Sequence, residues 1–251
     1  MPACMKNLKN LESLDLRGNE ITSIAPEVAE LSRLKKLDLS ENKITSIPAA
    51  LGSLERLEFL FLQQNSVSGP IPAELGRIKT LKELWLSHNS LSGPIPTELS
   101  NLPALELLYL HNNNLSGAIP PQLGKLESLD EMGLSNNALS GAIPPELSRM
   151  PKLVALDLHR NSLSGEIPSE LGSTPLLATL DLSHNKLNGS IPSSFGALVR
   201  MLQLDLSDND LTGTIPASLG AYGSADPPRN FAASVINFKN NKGLSGHCLD
   251  D

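Results

Sequence analysis

An asparagine returns at a fixed interval along this chain, at Asn19, Asn42, Asn65, Asn89, Asn113, Asn137, Asn161, Asn185 and Asn209. The first two steps are 23 residues and the next six are 24. Around each sits one phrase, Leu-x-x-Leu-x-Leu-x-x-Asn, as in Leu34, Leu37, Leu39, Asn42 and again in Leu153, Leu156, Leu158, Asn161. A unit this short cannot bury a core alone, so its copies must stack into a solenoid. Such a stack offers a long curved surface for binding rather than a cleft for chemistry.

The phrase follows from the stacking. In each Leu-x-Leu pair the leucines point inward and the residue between them points out. Successive strands then lie parallel, about 4.8 Å apart, with continuous leucine columns. After the strand the chain turns sharply, and a buried turn must satisfy its backbone donors and acceptors. An Asn side chain carries both a donor and an acceptor, so the Asn column is expected to pair with turn backbone and with the Asn of the next repeat.

From Asn65 onward each repeat continues Ser-Gly-x-Ile-Pro or a close variant, as in Ser68-Gly69-Pro70-Ile71-Pro72, Ser116-Gly117-Ala118-Ile119-Pro120 and Thr212-Gly213-Thr214-Ile215-Pro216. The two phrases together resemble the plant-specific class of leucine-rich repeats, found in receptor-like kinase ectodomains and polygalacturonase-inhibiting proteins. The first two turns, Thr22-Ser23-Ile24 and Thr45-Ser46-Ile47-Pro48, lack the Gly and resemble the class common in intracellular leucine-rich repeat proteins. The resemblance implies an α/β-type repeat solenoid. This is a right-handed superhelix with a parallel β-sheet on its concave face and 3₁₀ or short irregular turns on its convex face. It also implies a second short strand at Gly-x-Ile-Pro. The rest of each repeat, such as Ala73-Glu74-Leu75-Gly76-Arg77-Ile78, is Gly-interrupted and suits a single 3₁₀ turn.

Unbroken repeats predict one elongated domain over residues 1–251. It comprises a minimal N-terminal cap (1–10), nine repeats (11–220), a loop insertion (221–235), and a final strand with a C-terminal cap (236–251). Asn241 follows Asn209 by 32 residues, which measures the insertion. The tail is similar to the family's C-terminal cap but carries Ser245 where the family has Cys. Cys4 and Cys248 are the two cysteines, at opposite ends of a rod. A disulfide needs Cα atoms within about 7 Å, so they are not expected to pair within one chain. Unpaired thiols favour a reducing compartment. The sequons at Asn114 and Asn188 point instead to an extracellular fragment, weakly, because repeats of Asn, Gly and Ser produce such triplets easily. A net charge of −7 without a Lys/Arg run argues against nucleic acid and anionic membrane. No apolar stretch reaches the roughly 18 residues of a membrane span.

Function must lie in the outward strand positions. The residue between the two strand leucines reads, in order, Asp15, Asp38, Phe61, Trp85, Tyr109, Gly133, Asp157, Asp181, Asp205. Two residues earlier stand Ser13, Lys36, Phe59, Glu83, Leu107, Glu131, Ala155, Thr179 and Gln203. Of the chain's five Phe, two Tyr and one Trp, four fall in these columns within three consecutive repeats. Phe59, Phe61, Trp85, Leu107 and Tyr109 therefore form the candidate partner-binding cluster, because exposed aromatic clusters mark interfaces. The structural alternative is mutual stacking along the ladder.

Asp157, Asp181, Asp205 and Asp208 form a secondary acidic surface. Ordinary Leu-Asp-Leu-Ser phrasing with hydroxyl neighbours accounts for it best, a basic partner comes second and a calcium site third. His88, His111, His159 and His184 come from different repeats, and no pair has zinc-site spacing, so neither a metal nor another cofactor is expected. No catalytic constellation is legible, which predicts a non-catalytic protein–protein recognition scaffold centred on repeats three to five. Two alternatives are a structural subunit whose N-terminal end a neighbouring subunit covers, and a secreted enzyme inhibitor or receptor-ectodomain fragment.

Overall fold

The computed structural model describes residues 7–219 and 235–245. Among the described residues two parallel sheets run along the stack. One has ten strands in sequence order, from Ser13–Asp15 to Val235–Asn237; the other has eight, from Ser68–Gly69 to Gly243–Ser245. Because the period is constant, equivalent residues meet in register: Leu14 beside Leu37, Leu37 beside Leu60, and Trp85 beside Tyr109. The right-handed crossover rule for parallel strands then sets the coil direction.

Inward leucines form the core. Leu37, Leu60, Leu84, Leu108, Leu156 and Leu180 are fully buried, as are Leu75, Leu99, Leu123, Leu147, Leu171 and Phe195 on the opposite wall. That second column belongs to the 3₁₀ turns, such as Ala73–Arg77 and Thr97–Asn101. A proline precedes each of these turns: Pro72 at φ −63° supplies the extended entry that its ring favours. Turns from adjacent repeats pack closely enough to dictate sequence. A Cβ on Gly76 would lie 2.2 Å from the Glu98 carbonyl oxygen, so no side chain fits there.

The Asn column pairs with turn backbone as expected, but without the expected bond to the next Asn. Asn137 Nδ2 donates to the carbonyls of Leu134 (3.0 Å), Ser135 (3.2 Å) and, one repeat back, Leu110 (3.1 Å). Its Oδ1 accepts the Leu115 N–H at 2.9 Å. From Asn42 onward each Asn thus binds backbone of its own and the preceding repeat rather than the next Asn. The reason is local: the residue before it, such as Asn136 at φ +53°, is left-handed and aims the carbonyls of the turn at the amide.

The second sheet also lies elsewhere than expected. Its strands are Ser90–Gly93, Asn114–Gly117 and their equivalents, ending on or just past the Gly instead of running on through Ile-Pro. Gly93 and Gly117 take φ of +79° and +80°, which bends the chain out of the ladder. The bend drops Ile95 and Ile119 into the core. The first two repeats, without this Gly, contribute no strand to the second sheet, which begins at Ser68. No helix among the described residues is long and apolar enough to cross a membrane. Cys4, Cys248, most of the 221–235 insertion and the terminal parts of both caps lie outside the described residues.

Candidate functional site

The concave sheet carries its candidate residues on strands Phe59–Phe61, Glu83–Trp85 and Leu107–Tyr109. All five members of the cluster are half-buried rather than fully exposed, because they cover one another. Phe61 packs against Trp85 at 4.9 Å between centroids with the rings tilted by 56°, and Trp85 meets the edge of Tyr109 at 5.3 Å. Phe59 lies 6.3 Å from Phe61. The two readings of the aromatics therefore coexist: they stack along the ladder and still present part of each ring to solvent.

Polar groups frame the stack. Lys36 Nζ sits 5.3 Å above the Phe61 ring and Lys82 Nζ 5.9 Å above Phe59, both within cation–π range. Lys82 also pairs with Glu58 at 2.7 Å. The Tyr109 hydroxyl donates to the Glu131 carboxylate. Burial, followed by that carboxylate and Glu83, pushes the phenol well above its usual range. Burial and the Glu106 charge raise the Glu83 carboxyl, against a weaker pull from the Trp85 indole and Lys36. Trp85 Nε1 is sealed from solvent and finds no hydrogen-bond partner among the described residues, its approach to Glu83 falling short of bonding geometry.

Three neighbours of the cluster were not legible in the column pattern. His111 packs against Tyr109 at 5.8 Å and against His88 at 5.3 Å. Burial first, with His88 beside it, lowers the His111 imidazole below its usual value. Gly133 ends the aromatic run because a Cβ there would lie 3.1 Å from Tyr109 Cδ1 and 3.3 Å from His111 Nδ1. The glycine lets both rings lean over the next strand. Its isolated place in an otherwise bulky or acidic column was the one available signal.

The four aspartates do not behave as one surface. Asp157, Asp181 and Asp205 stand in register on adjacent strands. Asp205 accepts from Ser207 Oγ at 2.6 Å and Asn237 Nδ2 at 2.9 Å. Burial works against its charge, but those bonds outweigh it and hold the carboxyl below the usual range. Asp208 accepts from Asn240 Nδ2 at 2.7 Å and faces His184 Nε2 at 3.5 Å. Asp157 and Asp181 instead flank His159.

The sequence matches the leucine rich repeat family over residues 4–67 and then over 80–102, 104–126, 128–150, 152–174, 176–198 and 200–221. The chain belongs to the leucine-rich repeat family. Its repeats are mostly of the plant type, similar to solved plant receptor ectodomains. One is the ectodomain of the membrane receptor kinase GASSHO1/SCHENGEN3 from Arabidopsis thaliana, in complex with CASPARIAN STRIP INTEGRITY FACTOR 2 (40% identity, TM-score 0.84, covering 87% of this chain and 27% of that one). Another is the ectodomain of the Arabidopsis receptor kinase HAESA with an N-terminal extended IDA peptide hormone ligand (36% identity, TM-score 0.86, covering 98% and 40%). A plant ice-binding protein is similar over 86% of this chain and 70% of its own (31% identity, TM-score 0.75). The chain thus spans well under half the length of those two receptor chains. No curated protein matches it by sequence.

Proposed function

We propose that this chain is a non-catalytic recognition scaffold. Its concave face binds an extended peptide or protein segment over repeats three to five, through Phe59, Phe61, Trp85, Leu107 and Tyr109. One observation carries the reading: the large side chains of the outward columns are gathered on three consecutive strands, each half-open to solvent, where the fold itself accepts Asp or Gly. Amphipathic rings held rigid by neighbours suit binding, because they lose little conformational freedom on contact. The HAESA ectodomain, of the same repeat class and solved with a peptide hormone ligand, supports the choice of an extended partner. We place the partner's apolar side chains against the exposed faces of Trp85 and Tyr109, with Lys36 and Lys82 at the rim. The test is affinity capture from native extract with the wild-type chain and with Trp85→Ala/Tyr109→Ala in parallel, followed by calorimetry on the partner recovered. Loss of that partner with the double variant supports the reading. Equal recovery and equal affinity would place the functional surface elsewhere.

A further inference from the structure

Five repeats place an aspartate in the outward column, and all five share one local bond. Oδ1 accepts the backbone N–H two residues on, from Arg17 (3.2 Å), Ser40 (3.3 Å), His159 (3.1 Å), Ser183 (3.0 Å) and Ser207 (2.9 Å). The turn therefore uses Oδ1, and the second oxygen distinguishes the five. Asp15 Oδ2 faces the Arg17 guanidinium and Asp38 Oδ2 the Lys36 ammonium, each at 3.6 Å. Asp205 Oδ2 accepts from Asn237. Asp157 Oδ2 and Asp181 Oδ2 accept no hydrogen bond from a described residue. These two aspartates are neighbours across one strand pair. Between them lies His159, with Nδ1 2.6 Å from Asp157 Oδ1 and 3.7 Å from Asp181 Oδ2. One donor atom from each of the three lies within 4.8 Å of the others.

We propose that Asp157, His159 and Asp181 form a site for a divalent transition-metal ion of the borderline class, such as Zn²⁺, joining the seventh and eighth repeats. The donor set is one imidazole nitrogen and two carboxylate oxygens. Ligands at about 2.0–2.2 Å in a tetrahedron sit roughly 3.4 Å from one another. The Asp157–His159 contact must open slightly and the Asp181 oxygen close slightly, and rotation of half-exposed carboxylates allows both. Calcium and magnesium suit the site less, because they seek six or more oxygens and bind imidazole poorly. Groups behind the ligands are in place to orient them. Ser183 Oγ holds Asp181 Oδ1 at 2.7 Å, leaving Oδ2 to the ion. His159 Nε2 faces the Asn136 side-chain amide at 3.2 Å. Binding through Nδ1 puts the ring proton on Nε2, and the Asn136 amide, turned to present its oxygen, accepts it. Three protein ligands leave a coordination position open toward the concave side for water or a donor from a partner.

The test is calorimetric titration of the full chain with Zn²⁺ near neutral pH, in a Cys4→Ser/Cys248→Ser background so that no thiol competes. The expected result is one ion per chain, with affinity reduced about tenfold or more in both His159→Gln and Asp181→Asn. Asp205→Asn should bind as the parent does. Ca²⁺ at the same concentrations should give no saturation. Because His159→Gln loses the side-chain bond to Asp157, a Zn²⁺-dependent shift of the His159 ring resonances in the unsubstituted background gives a readout free of any folding defect. Absence of Zn²⁺ binding overturns the proposal. So does binding that survives both substitutions, or a metal-induced shift confined to the other four histidines, His88, His111, His184 and His247.

Discussion

Replacing Asn137 by alanine tests the element that holds the stack together. The side chain makes four bonds to backbone: three donated to Leu110, Leu134 and Ser135 carbonyls and one accepted from Leu115 N–H. Leu110, Leu115 and Leu134 are fully buried and Ser135 is 2% exposed, while Asn137 itself is half-buried, so water can replace the amide only in part. An orphaned buried donor costs about 1–3 kcal/mol, and the carbonyls each lose one bond in addition. We expect Asn137→Ala to lower stability by about 3 kcal/mol. With a denaturant slope of about 3 kcal/mol per molar urea, the midpoint falls by about 1 M. Ser140→Ala, on the exposed side of the same repeat, should stay within about 0.5 kcal/mol of the parent. Equilibrium urea unfolding followed by circular dichroism reads both. A midpoint for Asn137→Ala that matches the parent would refute the argument that the buried turn depends on this amide.

Trp85→Ala should cost about 2 kcal/mol of affinity for the partner recovered by capture. It should also lower the urea midpoint, since the loss of its stacking on Phe61 and Tyr109 costs about 1–2 kcal/mol; an unchanged affinity in calorimetry would make the aromatic stack purely structural. Gly76→Ala should destabilise by about 2 kcal/mol or more, because its Cβ collides with the Glu98 backbone, and a wild-type midpoint would contradict the close packing of the convex turns. Glu83→Gln should stabilise the chain at pH 7. The folded-state carboxyl is raised by burial and Glu106, so the folded chain binds a proton more readily than the unfolded one. Stability then falls as pH rises from the ordinary carboxyl value through the raised one. The gain from the substitution should vanish below the ordinary value, and a gain that persists in acid would show another cause.

Much of the molecule was legible because a repeat turns three-dimensional neighbours into sequence neighbours at a fixed offset. Leu37 beside Leu60 and Trp85 beside Tyr109 follow from the period alone. The buried wall of Leu75, Leu99 and Leu123 follows from the same count. Two local placements were missed for a shared reason. The second strand ends around Gly93 rather than running through Ile95-Pro96, and Asn137 binds the Leu110 carbonyl rather than another Asn, because left-handed residues redirect the chain at both places.

The aromatic column could be read from residue types, but its exposure could not. Half-burial depends on ring tilt between repeats, and the tilt depends on the space Gly133 leaves for Tyr109 and His111. The acidic column shows the same division. Its aspartates share one sequence phrase and one local bond, which the chain determines within two residues. The second oxygens of Asp15 and Asp38 meet a local cation, Arg17 and Lys36, whereas those of Asp205 and Asp181 meet side chains that the stack brings alongside: Asn237, 32 residues on, for Asp205, and His159 from the preceding repeat for Asp181. Periodicity determines backbone register. The direction in which a side chain leans, and the group it then meets, is settled only by packing between neighbouring repeats.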